Sequence, residues 1–281
     1  MIRKLLLFGS LIFLIAAFIP KKLAYRSVNE GRKKEFLPPG TVKINDTLYA
    51  DETEVSNFSW LEYQFWIFTK YGYYSDEYKA VLPDTLVWRD KAAYNEPYVE
   101  YYLRHPAYRN YPVVGISYEQ AIEYCKWRTE RVQEFMCISK KYDLIDFEYR
   151  LPTKQEWEFL SNNGNYGDGY NVFSNRGKDE KGRMTSNRRL PKGDTLGWNG
   201  IIQDNADVTA PVYSYCKNHF GLYNMIGNVA EMVNEKGICK GGGWRNNLEE
   251  CRVGKDIPYI KPTAWLGFRC VCIVKKKGVN S

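Results

Sequence analysis

Residues 221–232, GLYNMIGNVAEM, constrain this chain more than any other stretch. Glycine accepts left-handed backbone that other residues resist, so Gly221 and Gly227 inside an apolar run describe a tight turn. Two further blocks follow, CKGGGWRN at 239–246 and LGFRC at 266–270. Each alone is a weak signal, but their order and spacing are specific. The chain also carries 23 Tyr and 8 Trp. Such rings can pack irregular structure, because each buries much area while its polar tip finds a partner.

At 281 residues and 44% hydrophobic, the chain can bury a substantial core. No internal repeat divides it. One domain over 43–276 is the economical reading, preceded by a targeting segment (1–20) and a basic linker (21–42), and followed by a short tail (277–281). Arg3 and Lys4 precede an apolar run over 5–19. That run suits a signal-peptide core and is short for a spanning helix of ~20 residues. Export to the periplasm is expected, as a cleaved or a membrane-anchored protein. The net charge of +7 sits partly in terminal runs such as Lys275–Lys277. No element with clustered base-reading residues accompanies it, so nucleic acid is not an expected partner. None of the seven cysteines forms the paired CxxC pattern of a zinc knuckle. In an oxidising compartment, disulfides are favoured over reactive thiols.

Local signals place several elements. Thr41 to Ala50 (TVKINDTLYA) reads as a strand. EVSN at 54–57 opens an amphipathic helix whose apolar residues Phe58, Leu61, Phe65 and Phe68 recur at helical spacing, with Gly72 at its end. Ser117 and Gln120 form a capping box for a helix bearing Ala121, Tyr124, Cys125 and Arg128 on one face. Thr153 and Glu156 form a second box, before Trp157 and Leu160. Residues 135–148 read as irregular, and 161–213 as a long loop whose length points to function or to an organising ion. The alternation Cys270-Val271-Cys272 suits a strand.

Taken in order, EVSN, YPVVGISYEQAIEYCKWR, YRLPTKQEWEFL, APVYSY, FGLYNMIGNVAEMV, KGGGWRN and LGFRC resemble the formylglycine-generating enzyme (sulfatase-modifying factor) superfamily. They span nearly all of 54–271. The resemblance implies an α+β fold, a variant of the C-type-lectin-like architecture with small antiparallel sheets, few helices and much irregular structure. Residues 83–118 further resemble the gliding-motility members of Bacteroidota, which belong to or support type IX secretion. This chain lacks their lipid-attachment cysteine and is shorter.

The superfamily's oxidase holds copper(I) with two cysteines five residues apart, just after a Lys-Gly-Gly-Ser motif. Here the matching positions are Asn246 and Cys251, and the motif's serine is Gly243. An amide does not replace a thiolate for a soft ion, and Cys239 lies on the other side of the turn. The superfamily's iron enzymes use histidines from an extra helical domain. The two histidines here, His105 and His219, are 114 residues apart and read as structural hydrogen-bonders.

Calcium chemistry is what the resemblance leaves in place. One Ca2+ would be held by Asn224, Gly227, Val229 and Glu231, a mixture of side-chain oxygens and backbone carbonyls typical of this ion. A second would involve Asn187, Arg188, Asp204 and Ala206, with Asp207 as a competing carboxylate. The resemblance also implies a Cys125–Cys270 disulfide, worth ~3–5 kcal/mol by chain entropy. The superfamily's other bridge has no counterpart, its first position being Ser161. The expected function is therefore a calcium-stabilised, non-catalytic scaffold or binding protein of the bacterial envelope, with envelope or secretion proteins as partners. The aromatic segment 88–111 is the expected partner surface, with core packing as its bland alternative. A copper oxidase with a remodelled site is the alternative function.

Overall fold

The computed structural model describes residues 37–91, 93–139, 145–166, 171–189 and 208–276. The N-terminal targeting segment, most of the basic linker and the tail lie outside them. The chain divides at Pro39, and Gly40–Ser281 forms the second of two units.

Two four-stranded sheets organise that unit. The first has the order β1-β2-β8-β3 and is wholly antiparallel. It joins β1 (Thr41–Lys43), β2 (Leu48–Asp51), β3 (Ile145–Arg150) and β8 (Val271–Lys276). Placing the last strand between β2 and β3 ties both ends of the domain into one sheet. In β3 the side chains alternate as a half-buried strand requires: Phe147 and Tyr149 are buried, and Asp146 and Glu148 are exposed. The second sheet has the order β6-β5-β4-β7. Its strands are β4 (Ala230–Met232), β5 (Ile238–Lys240), β6 (Ile257–Pro258) and β7 (Leu266–Gly267), with β4 and β7 parallel.

The stretch read as one strand over 41–50 is a hairpin. The side chain of Asn45 accepts hydrogen bonds from the backbone N–H groups of Thr47 and Leu48 at 3.0 and 2.8 Å. An Asn that satisfies its own following amides makes a turn, and this one breaks the strand in two.

Five α-helices are described: α1 (Asn57–Tyr71), α2 (Asp76–Ala80), α3 (Glu96–Tyr101), α4 (Tyr118–Ser139) and α5 (Lys154–Leu160). Both capping boxes form. Ser117 Oγ accepts from Gln120 N at 3.2 Å, while Gln120 Oε1 accepts from Ser117 N at 2.8 Å. Thr153 and Glu156 make the reciprocal pair at α5, and Glu156 also receives a two-pronged bond from Arg150 at 2.7 Å. Thr153→Ala removes one of these caps and is expected to lower stability by about 1 kcal/mol, measurable by urea unfolding.

α4 runs to Ser139 and β3 begins at Ile145, so most of 135–148, read as irregular, is regular structure. The face of α1 is also not the one its apolar periodicity selects. The helix buries Asn57, Trp60, Tyr63, Gln64 and Ile67, and leaves Phe65 and Phe68 exposed. Trp60 stacks on Tyr124 of α4 and meets Phe268 edge-on, with ring centroids 5.5 and 6.1 Å apart. The larger rings therefore decide which face turns inward. Gln64 can follow them because its amide donates to the Val81 carbonyl at 3.0 Å.

A main core cluster lies under α5 and the first sheet, and includes Leu48, Ala50, Trp157, Leu160, Leu222, Val233 and Cys251. A second gathers Trp88, Tyr102, Val114, Val208, Val229 and Ala264. The segment 88–111 thus supplies core rings. The partner surface expected there is not formed by Trp88 or Tyr102, because both stack into this cluster with centroids 4.6 Å apart. Among the described residues, no helix is long and apolar enough to cross a membrane.

Candidate functional site

The turn at 221–232 sits between two structures, a buried charge network on one side and the Gly242–Cys251 loop on the other. Its backbone explains its composition. Asn224, Gly227 and Asn228 have φ of 50°, 83° and 64°. A β-carbon on Gly227 would stand 2.4 Å from the Asn187 carbonyl oxygen, so this position admits only glycine on steric as well as conformational grounds.

The network centres on Arg269, fully buried between β7 and β8. Its Nε and Nη2 fork onto the Glu231 carboxylate at 2.7 and 2.6 Å. Its remaining N–H groups hold the backbone carbonyls of Asp51 and Tyr223. Trp157 of α5 donates its indole N–H to Glu231 at 2.7 Å. A second, part-buried pair lies nearby, where Arg128 of α4 reaches Asp51 at 2.7 Å. Glu54 is buried as well, but it meets neutral partners at hydrogen-bond distance: the side-chain amides of Asn224 and Asn228, at 3.1 and 2.9 Å. Burial pushes its carboxyl up to about 8; the field of Arg269 works against that and the Glu231 charge adds to it.

The four residues expected to hold calcium, Asn224, Gly227, Val229 and Glu231, lie on this turn and on the strand it leads into. Both N–H bonds of the Asn224 amide are spent, on Glu54 and on the Val212 carbonyl at 3.0 Å. The amide oxygen is thereby the group left to meet a ligand. Glu231 uses three of a carboxylate's roughly four acceptor positions on Arg269 and Trp157. Oxygen donors of this kind fit a hard cation such as calcium, and a cation would balance Glu54. Of the second expected set, Asn187 is buried and donates to the Val208 carbonyl at 2.7 Å. Arg188 is buried beside Gly177. Asp204 and Ala206, with the competing Asp207, lie outside the described residues.

On the other side, Gly241 and Gly242 take φ of 83° and 66°. A β-carbon on Gly242 would meet Cys251 Sγ at 2.5 Å and Asn246 Cβ at 3.2 Å. Positions 246 and 251 therefore converge on one point of the chain. Asn246 uses its side-chain oxygen to accept from Gly243 N at 2.9 Å, closing the loop. Cys251 is fully buried in the main core cluster. Burial pushes its thiol up to about 12, against the field of Arg188. A thiol held neutral by burial packs as a small hydrophobe. Cys239 turns away, donating to the Ile257 carbonyl at 3.2 Å, and burial pushes its thiol to about 12 as well.

Cys125 and Cys270 face each other as two buried thiols with their sulfurs 3.5 Å apart. His105 caps a short turn by accepting from Ala107 N, and His219 is exposed beside Phe220. Among the described residues, no three His, Cys, Asp or Glu side chains gather as a metal cluster.

Sequence reasoning missed three members of the network. Glu54 reads as a helix opener, and Trp157 and Arg269 read as parts of motifs. The available signal for Arg269 was a charged residue inside the apolar run LGFRC.

The family model for the sulfatase-modifying factor enzyme 1-like domain matches residues 21–274, and the chain belongs to this FGE-sulfatase family. It is 27% identical over 176 residues to the chaperone protein LppX of Paenibacillus barcinonensis, covering 50% of this chain and 62% of that protein. It is 30% identical over 177 residues to the inactive C-alpha-formylglycine-generating enzyme 2 of Bos taurus, covering 57% of this chain and 50% of that protein. The formylglycine-generating enzyme of Mus musculus is 28% identical over 134 residues, covering 45% of this chain and 27% of that protein. The matches thus span between about a quarter and three fifths of these relatives.

Proposed function

We propose that this protein is an exported, non-catalytic scaffold or binding member of its family, stabilised by calcium at the 221–232 turn. The observation that carries this is the state of the Gly242 loop. Where the superfamily's oxidase has two thiolates, this chain places a loop-closing amide, Asn246, against a core-buried thiol, Cys251. Copper(I) needs soft ligands, and one sealed thiol offers no oxygen-activating centre. The likeness to an inactive formylglycine-generating paralogue and to a chaperone is compatible with a binding role. Calcium at Asn224, Gly227, Val229 and Glu231 would fix the turn. It would supply rigidity and charge, not redox chemistry. Export to the periplasm, and partners among envelope components of the gliding-motility and type IX secretion kind, complete the reading.

Metal analysis of the purified full chain, beside Cys251→Ser, tests it. Near-stoichiometric calcium with no copper in either protein is expected, together with a melting temperature that falls on chelation. Copper bound to the wild type and lost on substituting Cys251 would overturn the reading in favour of the remodelled oxidase.

A further inference from the structure

The face of α1 that turns away from the core continues into the turn after it as one aromatic surface. Phe65, Phe68, Tyr71, Tyr73 and Tyr74 are 59%, 40%, 43%, 60% and 85% exposed. Four of them are contiguous: ring centroids lie 6.3 Å apart for Phe65–Phe68, 6.5 Å for Phe68–Tyr73 and 5.2 Å for Tyr73–Tyr74. Tyr78 closes the group from α2, at 5.8 Å from Phe68 and 5.4 Å from Tyr73. Lys70 lies over Trp66 and Tyr71, and Arg131 of α4 lies over Trp66.

We infer that this face is the contact surface of a symmetric dimer of the chain. Two observations select a second copy as the occupant. The first is area. At ~150–250 Å² per ring, the five side chains leave on the order of 600 Å² in water. That is at the upper end of what a monomer ordinarily exposes in one patch, ~300–600 Å². It approaches the ~800 Å² that each partner contributes to a stable interface, the remainder being a polar rim. The second is charge. The rim carries Lys70, Lys79 and Arg131 against Glu62, Asp76, Glu77 and Glu134. Two opposite pairs, Lys79–Asp76 and Arg131–Glu134, already meet within it. A border of mixed sign is self-complementary across a twofold axis, where each residue meets its counterpart's neighbours. It offers no positive excess for an anionic membrane and no single sign for a strongly charged partner.

Light scattering and lysine cross-linking of the purified full chain test the inference. The expected result is a mass of two chains at micromolar concentration, with a Lys70–Lys70 link that only two copies can form. Phe65→Ser with Tyr74→Ser changes two exposed rings, so the fold should persist, checked by an unchanged melting temperature. The dimer dissociation constant should rise ~30-fold or more, the effect of removing interface aromatics. Tyr73→Arg should act in the same direction by placing like charges across the axis. A single-chain mass at that concentration would overturn the inference, with loss of vesicle binding in the double variant assigning the face to lipid instead. A dimer that survives the substitutions would also overturn it.

Discussion

Arg269→Met is expected to lower stability by about 3–5 kcal/mol, the effect of removing one partner from a buried ion pair. Glu231 would be left charged, almost wholly buried, and supported by the Trp157 indole at 2.7 Å. The substitution also strips the Asp51 and Tyr223 carbonyls of their donor. For a domain of this size the melting temperature should fall by roughly 10 °C. A Glu231→Gln companion separates causes. If the stranded charge dominates, the double variant should recover part of the loss, because a neutral amide costs less to bury than a carboxylate. No recovery would place the whole loss in the two carbonyl contacts and in packing. Equilibrium unfolding of the four proteins in one cycle resolves this.

The second large effect is a gain. Asn246→Cys should create copper(I) binding, because the side chains at 246 and 251 already converge on Gly242. Two thiolates at that point would restore the soft pair. The gain has a cost: the bond from Gly243 N to the Asn246 side chain is lost, about 0.5–1.5 kcal/mol. Titration with copper(I) in the presence of a competing chelator, on wild type, Asn246→Cys and Asn246→Cys/Cys251→Ser, should show tight binding in the single variant alone. Binding that persists without Cys251 would place the metal elsewhere.

The elements most legible in the sequence are those written locally. The capping pairs Ser117–Gln120 and Thr153–Glu156 form as read, because a cap is a contract between residues three apart. Gly227 and the 241–243 glycines likewise announce turns that no other residue fits. What could not be read depends on distant partners. The inward face of α1 is chosen by Tyr124 and Phe268, far along the chain. Its periodicity fits two faces, and the wrong one is the more apolar. Trp88 and Tyr102 look like a sticky surface until Val114, Val208, Val229 and Ala264 are packed against them. Glu54 became part of the site only once Asn224 and Asn228, some 170 residues on, were brought to it. The hairpin within 41–50 is masked by the β-propensity of the residues around Asn45, whose own turn chemistry makes it.

On the proposed function, the Gly242 loop does not support oxidation chemistry. Oxygen uptake by the full chain, supplied with copper(I) and a cysteine-containing peptide, is the deciding measurement. The rate should not exceed that of copper and peptide alone, and the peptide's thiol should remain intact. Uptake above that background, abolished by Cys251→Ser and accompanied by conversion of the peptide thiol to an aldehyde, would contradict the claim.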